Sequence, residues 1–341
     1  MHDASRPSDP LPIRPLSTVP ELRAIEELQR EVWGFDDVEV VPLHVLMTSV
    51  RHGGQLLGAF DGDRIVGFSF GFRGVDVDGT AALCSHLLAV APAARGQGLG
   101  IALKWAQRAE SLRAGIGRIL WTYDPLEHGN ARLNLGRLGG VSNRYLDDLY
   151  GELRDALNAG LPTDRIEVVW DLNSPRVRAR AGEPYRDVSA RGEGAGRATA
   201  NGSDDPGPRL DDGAPSGAIA DPGERIFVRL SAPADAQTLR RREPDAARAW
   251  RLHLRAGMHA LFERGYLLVD ADADGDGPDL RFARAEAVPV MIAADGATAD
   301  RPTTRREGGR TDRGHRTRLP GGTRTPGRFV LLRRPAAVGQ L

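Results

Sequence analysis

A glycine-rich run at residues 95–100 has the composition of a loop that binds phosphate groups. It reads RGQGLG, and it stands between an apolar run typical of a strand and a pattern typical of a helix. Small residues leave successive backbone N–H groups accessible, and the N-terminus of a helix adds partial positive charge. A tight turn without a ligand is the alternative interpretation. The run is not a Walker loop, because no Gly-Lys-Ser/Thr follows, and it lacks the surrounding unit of a dinucleotide-binding fingerprint.

His86 lies shortly before this run, and an imidazole can accept a proton near neutral pH. A buried, hydrogen-bonded core histidine is the alternative interpretation. Cys84 could act as a covalent nucleophile, but no base dedicated to it is evident, so packing is preferred. Strict alternation along a strand would place four residues of this segment on one face: Cys84, His86, Leu88 and Val90.

The segments before residue 95 predict two helices followed by three strands. Apolar residues from 22 to 32 recur at helical spacing and stop at Gly34, and a second helical pattern begins near Pro42. The apolar runs QLLGAF, RIVGFSFGF and ALCSHLLAV follow. Asp-Gly turns separate these runs, which is typical of antiparallel hairpins.

The segments after residue 100 alternate between helix and strand. The predicted elements are a helix over 99–114, the strand RILWTYD, a short helix in NARLNLGRLGG, helical or mixed structure in YLDDLYGELRDALNAG, and the strand RIEVVWDL. Together with the preceding elements they predict a mixed α+β domain of about 170 residues, which is an ordinary domain size.

Residues 13–172 resemble the Gcn5-related N-acetyltransferase (GNAT) superfamily. Its signature is Arg/Gln-x-x-Gly-x-Gly/Ala after a Val-x-Pro lead-in, and this chain matches it at Arg95, Gly98 and Gly100, with Val90 and Pro92 as the lead-in. The order of predicted elements also fits. The resemblance implies an α+β fold in which helices flank a mixed, mostly antiparallel sheet. We expect a smaller C-terminal α/β segment that could be a degenerate half-copy of this fold.

The same resemblance implies acetyl-CoA, or another acyl-CoA, as co-substrate and a small amine as acceptor. The pantetheine arm would lie between the strands ALCSHLLAV and RILWTYD, and a backbone N–H near Leu88 would polarise the thioester carbonyl. His86 stands where arylalkylamine acetyltransferases place a catalytic histidine. The implied cofactor-binding residues are Leu88, Ala89, Val90, Arg95, Gly96, Gln97, Gly98, Leu99, Gly100 and Asn130.

The proton donor for the leaving thiolate departs from the family pattern. Aligning Ala131 and Gly139 with Asn-x-x-Ala-x-x-x-Tyr-x-x-x-Gly puts Leu135 where family members often carry tyrosine. The possible substitutes are Asn134, Tyr123, Tyr145 and Tyr150, and packing or surface hydrogen bonding is the alternative for each. The predicted catalytic set consists of His86, Leu88, Asn134 and Tyr123.

The run WTYDPLEHGNARLNLGRLGG is unusual within the superfamily and resembles an uncharacterised subgroup of predicted bacterial acetyltransferases. Asp124, Glu127 and Arg132 could line an acceptor pocket there, although a solvated loop is the better interpretation of each one singly. The resemblance therefore narrows the superfamily to a subgroup but does not identify the acceptor.

Composition divides the chain into four segments. Residues 1–12 are predicted to be a disordered leader, 13–190 the acyl-CoA-binding domain, and 191–224 a linker, because that stretch contains almost no large apolar side chain. Residues 225–341 contain the strand-like runs RIFVRL, GYLLVDA and RFVLLRR and a helical pattern around AARAWRLHLRAGMHALFERG. A disordered basic insert is predicted at about 276–326, between GYLLVDA and RFVLLRR, which could pair.

Charge and composition restrict the remaining classes of function. The formal net charge is zero, so nothing global favours a polyanionic partner, and Lys104 is the only lysine. A single cysteine excludes an internal disulfide. No signal-peptide pattern or membrane-length apolar run is present, so we expect a cytoplasmic protein with no membrane partner. No spacing of histidines or acidic residues predicts a metal site.

Two other functions fit parts of the sequence. A non-catalytic acyl-CoA-binding protein would account for the missing tyrosine. A nucleic-acid-associated role could rest on the basic segment 301–334, but Phe329 is its only aromatic residue, so a solvated insert is preferred and a nucleic-acid partner is not expected. The sequence predicts a CoA-dependent N-acyltransferase and leaves its oligomeric state open.

Overall fold

A ten-stranded sheet organises the described part of the chain. The computed structural model describes residues 11–151, 160–183, 209–211, 214–215, 219–272 and 278–288. All of these residues belong to one compact unit. The sheet is mostly antiparallel and helices pack against it, which confirms the predicted α+β class.

The first elements are those that the sequence predicts, with one short strand added in front. Their bounds are β1 Ile13–Pro15, α1 Val19–Trp33, α2 Leu43–Arg51, β2 Gln55–Asp61, β3 Arg64–Val75 and β4 Ala81–Val90. The Glu21 carboxylate accepts the N–H groups of Ser17 and Thr18 and so closes the N-terminus of α1. Gly34 ends the helix in the left-handed conformation, at φ 69°.

The elements after the glycine run include a strand that the sequence did not predict. Their bounds are a 3₁₀ turn Pro92–Ala94, α3 Leu99–Arg113, β5 Arg118–Tyr123, α4 His128–Ala131, a π-helical segment Arg132–Arg137, β6 Val141–Leu146, β7 Arg165–Asp171 and α5 Pro175–Arg180. The segment from Tyr145 that was expected to be helical or mixed begins with the last two residues of β6, and residues 152–159 of it lie outside the described residues. This strand is short and polar, and its pairing with β7 decides its conformation.

The C-terminal elements add three strands and two helices. Their bounds are β8 Phe227–Ser231, α6 Ala236–Arg242, α7 Pro244–Glu263, β9 Tyr266–Asp272, β10 Asp279–Arg284 and a 3₁₀ turn Ala285–Ala287. Among the described residues, no helix is both long and apolar enough to span a bilayer.

Strand β10 corrects the prediction that order is lost from about residue 276. It pairs with β9 on one side and with β8 on the other. The acidic run before β10 concealed the strand in the sequence. In the fold, Asp279 is buried at the start of β10, and its charge is balanced by Arg209 and Arg229. Four predicted segments lie wholly or mostly outside the described residues: the final strand expected at RFVLLRR, the basic insert, the 191–224 linker and the 1–12 leader. The boundaries 13–190 and 225–341 therefore stay predictions.

The strand order places the C-terminal strands in the same sheet as the N-terminal ones. The order is β1-β2-β3-β4-β5-β7-β6-β9-β10-β8. Neighbouring strands are antiparallel except β4 and β5, which are parallel. β6 meets β9 at Ser142 and Leu268. The junction is narrow, so side chains from other elements must also hold the two parts of the sheet together.

Aromatic packing fixes α3 against the centre of the sheet. Trp170 on β7 is fully buried between Trp105 of α3 and Trp121 of β5, with ring centroids 5.3 and 5.7 Å away. Its indole N–H donates to the Leu138 carbonyl at 2.8 Å. This contact holds α3, and therefore the glycine run that precedes it, in a fixed position relative to β5 and β7.

Candidate functional site

The two parallel strands β4 and β5 separate soon after they meet. They pair only at Leu83 with Ile119 and at Cys84 with Leu120. The rest of β4, residues 85–90, pairs with β3 alone. One edge of β4 therefore faces an opening in the sheet, and its unpaired backbone groups can bind an extended ligand as an added strand would.

The backbone of β4 presents N–H groups to this opening at the predicted position. The N–H of Ala91 donates to the Val66 carbonyl on the β3 side at 2.8 Å. Because N–H directions alternate along a strand, those of Leu88 and Val90 point toward the opening instead. Leu88 thus has the orientation that an oxyanion-stabilising amide requires.

A β-bulge at His86 changes which residues of β4 share a face. The register of β4 against β3 shifts between Ser85 and Leu87, which leaves His86 as the extra residue. Cys84 and Leu88 therefore lie on opposite faces. The predicted common face is wrong because it assumed strict alternation through Cys84, His86, Leu88 and Val90.

His86 lies at the edge of the opening in a partly apolar environment. Its ring is 6.2 Å from that of Phe70 and 5.8 Å from that of Phe72, between ring centroids. The side chain remains exposed, so it is not a buried core histidine. Partial desolvation by these neighbours lowers the pKa of His86 below its usual range. The imidazole is consequently neutral near pH 7 and able to accept a proton.

Cys84 has an environment that disfavours the thiolate. Burial raises the pKa of its thiol, and the charges of Glu167 and Asp76 raise it further. A thiol with a raised pKa is a poor nucleophile at neutral pH. The environment of Cys84 favours a packing role over a role as a covalent nucleophile.

The glycine run adopts the conformation that an anion-binding loop needs. Gly96 and Gly98 have φ values of 81° and 76°, in the region that favours glycine, and α3 begins directly after them. The amides of Gly96, Gln97 and Gly98 donate to no group within the described part of the chain. Three exposed amides therefore stand at the N-terminus of a fifteen-residue helix.

Arg95 completes this loop. Its Nε donates to the Val90 carbonyl at 3.2 Å, which ties the side chain to the end of β4. The residue is exposed, so the rest of the guanidinium is available to a ligand. This position is compatible with the predicted contact to a phosphate group.

A cavity of about 520 Å³ lies at the opening, within the range of roughly 300–1,000 Å³ that is usual for ligand sites. It brings together five of the predicted cofactor-binding residues, namely Leu88, Ala89, Val90, Arg95 and Asn130. Its other lining residues are Val32, Trp33, Asp124, Glu127, Arg165, Gln237 and Arg240. His86, Asn134 and Tyr123 are not among the described residues that line the cavity.

Two of the predicted proton-transfer residues are buried away from this cavity. Asn134 is 5% exposed and lies in the π-helical segment, and the adjacent Leu135 is fully buried in the core. Tyr123 is also buried, its hydroxyl has no partner within the described residues, and burial raises its pKa. Tyr145 donates to Asp164 at 2.7 Å and is equally enclosed. These three positions fit packing better than contact with a substrate.

Tyr150 differs from the other candidates because half of its surface is exposed. Its hydroxyl lies 3.3 Å from the Thr122 hydroxyl, on the part of β5 that has separated from β4. Thr122 on β5 and His86 on β4 both lie beyond the last pair of the two strands, Cys84 with Leu120. Tyr150 and His86 therefore stand on opposite sides of the opening.

The turn that carries Tyr150 is held by a polar network around the buried Thr163. Asp148 is the only non-glycine residue with positive φ, 45°, among those that the structure describes. Its carboxylate accepts the N–H and the hydroxyl of Thr163, and the Thr163 hydroxyl in turn accepts the N–H of Tyr150 at 3.0 Å. Backbone strain of this kind persists only where the surroundings enforce it, and it is frequent at functional sites.

Sequence reasoning undervalued Asp124, which is the centre of a buried ion cluster. Arg251 of α7 donates to both of its carboxylate oxygens at 2.8 Å, and Arg240 of α6 donates at 2.7 Å and also binds Glu127. Desolvation alone would raise the pKa of Asp124, but the hydrogen bonds and charges of these arginines outweigh it and lower the pKa. The available sequence signal was an arginine at 251 on the apolar face of a predicted helix.

Lys104 was also overlooked, although it is the only lysine. It is 4% exposed, donates to the Ser85 hydroxyl at 2.8 Å and lies 3.7 Å from the centre of the Trp121 ring. Ser85 and Trp121 directly follow the last pair of β4 and β5. Burial lowers the pKa of Lys104 to about 7. The Lys104 side chain therefore lies next to the point where β4 and β5 separate, on the face of the sheet that α3 covers.

The low pKa of Lys104 predicts a stability that depends on pH. The unfolded chain keeps this proton up to about pH 10.5 and the folded chain loses it near pH 7, so the unfolded state holds more protons between these values. We expect the free energy of unfolding to rise with pH across this window, by up to about 5 kcal/mol, whereas Lys104→Met should lack the rise. Urea unfolding at pH 6.5 and 9.5 measures the difference.

A direct titration provides the second readout for Lys104. Because the chain has one lysine, ¹³C-labelled lysine gives one side-chain signal in the NMR spectrum. The midpoint of its titration should lie near pH 7. A midpoint close to that of a free lysine, about 10.4, would contradict the prediction.

Comparison with known proteins finds similarity to solved structures. A putative acetyltransferase of the GNAT family from Desulfovibrio desulfuricans is 18% identical, with 48% of this chain and 99% of the other covered and a TM-score of 0.39. Aminoglycoside 6′-acetyltransferase type Ii is 20% identical, with 47% and 96% covered and a TM-score of 0.38.

Another matched structure carries a ligand. It is a putative acetyltransferase from Salmonella typhimurium with its cofactor acetyl-CoA, 18% identical, with 48% of this chain and 95% of the other covered and a TM-score of 0.39. No protein-family model and no curated protein matches the chain. Each of these three matched structures covers about half of this chain.

Proposed function

We propose that this protein transfers an acetyl or other short acyl group from acyl-CoA to an amine. The observation that carries the proposal is the exposed set of amides at Gly96, Gln97 and Gly98, which donate to no group within the described residues and lie between the free edge of β4 and the N-terminus of α3. Such a loop suits a pyrophosphate, and the adjacent strand edge suits the amide-containing arm of CoA. Arg95 and the residues Leu88–Val90 line the cavity between them.

The chemistry in this proposal is direct attack of the amine on the thioester. The N–H of Leu88 binds the carbonyl oxygen and stabilises the negative charge that develops on it in the tetrahedral intermediate. His86, or a water that it holds, removes the proton from the attacking amine. The carbon–sulfur bond then breaks, and the thiolate takes a proton.

Tyr150 is the donor of that proton in this proposal, and it replaces the assignments of Tyr123 and Asn134. It is exposed, its N–H is bound by Thr163, and its hydroxyl contacts Thr122 on the β5 side of the opening, whereas His86 lies on the β4 side. The Arg165 guanidinium lies 5.3 Å from its ring, where it can accommodate the negative charge of a transient phenolate.

Binding of CoA tests the first step of the proposal. A valine at Gly98 cannot keep φ at 76° without strain, so the three amides should turn away from the phosphate. Gly98→Val is expected to weaken CoA binding about 10- to 100-fold, the usual effect of lost hydrogen bonds to a charged group. Isothermal titration calorimetry with CoA measures this loss.

The control for this variant is Gly115→Val. Gly115 ends the same helix with φ 72° and, like Gly98, has no atom within 4 Å of an added Cβ. Both variants carry the same backbone strain, but only Gly98 adjoins the proposed site. Equal effects of the two variants on CoA affinity would contradict the role of the loop.

Release of free thiol from acetyl-CoA across a panel of amines tests catalysis. Turnover on at least one primary amine is the expected result. Calorimetric binding of CoA without turnover on any amine would instead support an acyl-CoA-binding protein that does not catalyse transfer.

A further inference from the structure

The ammonium of Lys104 bridges β4 and β5 at the point where the two strands stop pairing. Its Nζ donates to the Ser85 hydroxyl of β4 at 2.8 Å and lies 3.7 Å from the centre of the Trp121 ring of β5. The last pair of the two strands is Cys84 with Leu120, so Ser85 and Trp121 are the first residues beyond it. One side chain of α3 therefore contacts each strand where backbone pairing no longer fixes their separation.

No carboxylate accounts for this buried ammonium. Lys104 is 4% exposed, and it forms no ion pair within the part of the chain that the structure describes. Its other hydrogen bond is to the Gln107 side chain at 3.4 Å, and desolvation by burial is the cause that lowers its pKa. A buried cation without a counterion is costly, and an apolar side chain of similar length would pack at a lower cost. Packing alone therefore does not explain the lysine.

The titratable side chains on the elements around Lys104 are engaged elsewhere or uncharged. Arg108, one turn further along α3, forms its own ion pair, and burial raises the pKa of Tyr123 on β5, so its hydroxyl stays neutral. On β4, burial also raises the pKa of the Cys84 thiol, and His86 contacts aromatic rings of β3. The buried polar side chains that β2 and β3 add between the sheet and α3 are uncharged, namely Gln55 and Ser69. Dipoles and an aromatic ring, and not an opposite charge, thus balance the Lys104 ammonium.

Ser85 also directly precedes the β-bulge at His86. The register between β3 and β4 shifts between Ser85 and Leu87, which leaves His86 without a partner on β3. Because β5 has already separated, β3 is the one strand of the described sheet that pairs with this segment. The direction of His86 thus depends on how firmly Ser85 is held, and Lys104 binds the Ser85 side chain.

We propose that Lys104 is a positioning residue for acyl transfer. By bridging the two strands it sets the width of their opening and the direction of His86 at the bulge. The inference rests on the proposed acyl transfer. Lys104 lies between α3 and the sheet, so its ammonium acts on the strands and not on the acyl group or the amine. The amide of Leu88 follows the bulge on the same strand, so the contact also fixes the base relative to the oxyanion-stabilising N–H.

Two variants remove this contact from opposite sides. Lys104→Met keeps most of the stem of the side chain and loses the ammonium, and Ser85→Ala removes the hydrogen-bond acceptor. Each is expected to lower kcat about 10- to 100-fold, since a displacement of about 1 Å near the reacting groups has an effect of this size. The Michaelis constant for acetyl-CoA should stay within about threefold, because the glycine loop lies beyond the other end of β4. Thiol release with the best amine of the panel measures both constants.

A double-mutant cycle separates positioning from a general loss of stability. Because the two side chains act through one contact, the double variant Lys104→Met/Ser85→Ala should lose no more than about twofold beyond the larger single effect. Ser111→Ala is the matched control, because this buried serine of α3 contacts the Gln55 side chain instead, and its kcat should not change. Multiplicative losses in the cycle, unchanged kcat in either single variant, or an equal loss in Ser111→Ala would each overturn the inference. Ser85→Ala keeps the test valid if Lys104→Met does not fold.

The NMR signals of His86 give a readout that needs no turnover. Burial places the pKa of Lys104 at about 7, and the contact with Trp121 weakens when the charge is lost. The His86 ring signals, identified by their absence in His86→Ala, should therefore shift in two steps, one of them with the midpoint of the lysine, and Lys104→Met should leave a single step. A single step in the wild type, or two steps in the variant, would overturn the inference. Absence of turnover on every amine would reject the proposed acyl transfer, and these signals would still show whether Lys104 sets the direction of His86.

Discussion

Replacing His86 with alanine is expected to lower kcat about 100- to 10,000-fold, which is the usual contribution of a general base. The imidazole stands at a bulge on the edge of the opening, and its lowered pKa keeps it neutral at physiological pH. CoA affinity should stay within about twofold, because the pyrophosphate loop lies several residues further along the chain. Steady-state kinetics and calorimetry of the same preparation measure the two quantities.

The pH profile separates a base from a residue that only supports the fold. In the wild type, kcat/KM should fall as pH drops through the pKa of His86, which lies below its usual value of about 6.5. The variant should lack this acidic limb. His52→Ala, an exposed histidine at the end of α2, is the control and should retain it. Unchanged turnover of His86→Ala would remove this residue from the mechanism.

The variant Tyr150→Phe tests the proposed proton donor on the β5 side of the opening. Loss of its hydroxyl should lower kcat about 10- to 100-fold and leave the acidic limb of the profile in place, because His86 is unaffected. The companion variant Tyr123→Phe removes a buried hydroxyl that has no partner among the described residues, and it should change kcat little. The opposite ranking of the two variants would return the proton-donor role to Tyr123.

Replacing Asp124 with alanine is expected to lower the free energy of unfolding by about 3–5 kcal/mol, the usual loss when one partner of a buried ion pair is removed. Arg251, 1% exposed at its side chain, would keep its charge and lose the carboxylate that binds both ends of its guanidinium. Arg240 would retain only Glu127. Chemical unfolding in urea at pH 7 measures the loss.

The controls for this prediction separate charge from position. Glu27→Ala removes an exposed carboxylate of α1 and should change stability by less than about 0.5 kcal/mol. The double variant Asp124→Ala/Arg251→Met should be more stable than Asp124→Ala alone, because it no longer buries an unpaired cation. A loss as small as that of Glu27→Ala would show that the cluster contributes little to the junction of the two halves of the sheet.

The glycine loop and the first elements could be predicted because their determinants are local. Gly96 and Gly98 occupy backbone conformations that other residues rarely adopt, and such positions are visible in the sequence. The helices near Gly34 and Pro42 and the strands with Asp-Gly turns follow from periodicity and turn chemistry in the same way. Local patterns therefore sufficed for the fold class and for the candidate phosphate loop.

The composition of the cavity could not be predicted, because it depends on contacts between distant segments. The bulge that separates the face of Cys84 from that of Leu88 is a property of the pairing between β3 and β4, not of either strand alone. Asp124 is separated from Arg251 by 127 positions, and charge patterns at such distances do not indicate a partner. Strand β10 could not be predicted for the same reason, since the burial of Asp279 depends on its ion pairs with Arg209 and Arg229.

The sequence by itself determined the α+β class, the loop at 95–100 and the choice of His86 as a candidate base, since each depends on residue types and short spacings. Only the tertiary structure decided that Tyr150 is exposed at the opening while Tyr123 and Asn134 are buried, and that α6 forms a wall of the cavity. The physical reason is that burial and charge compensation are sums over all neighbours of a side chain, and most of these neighbours are supplied by distant parts of the chain.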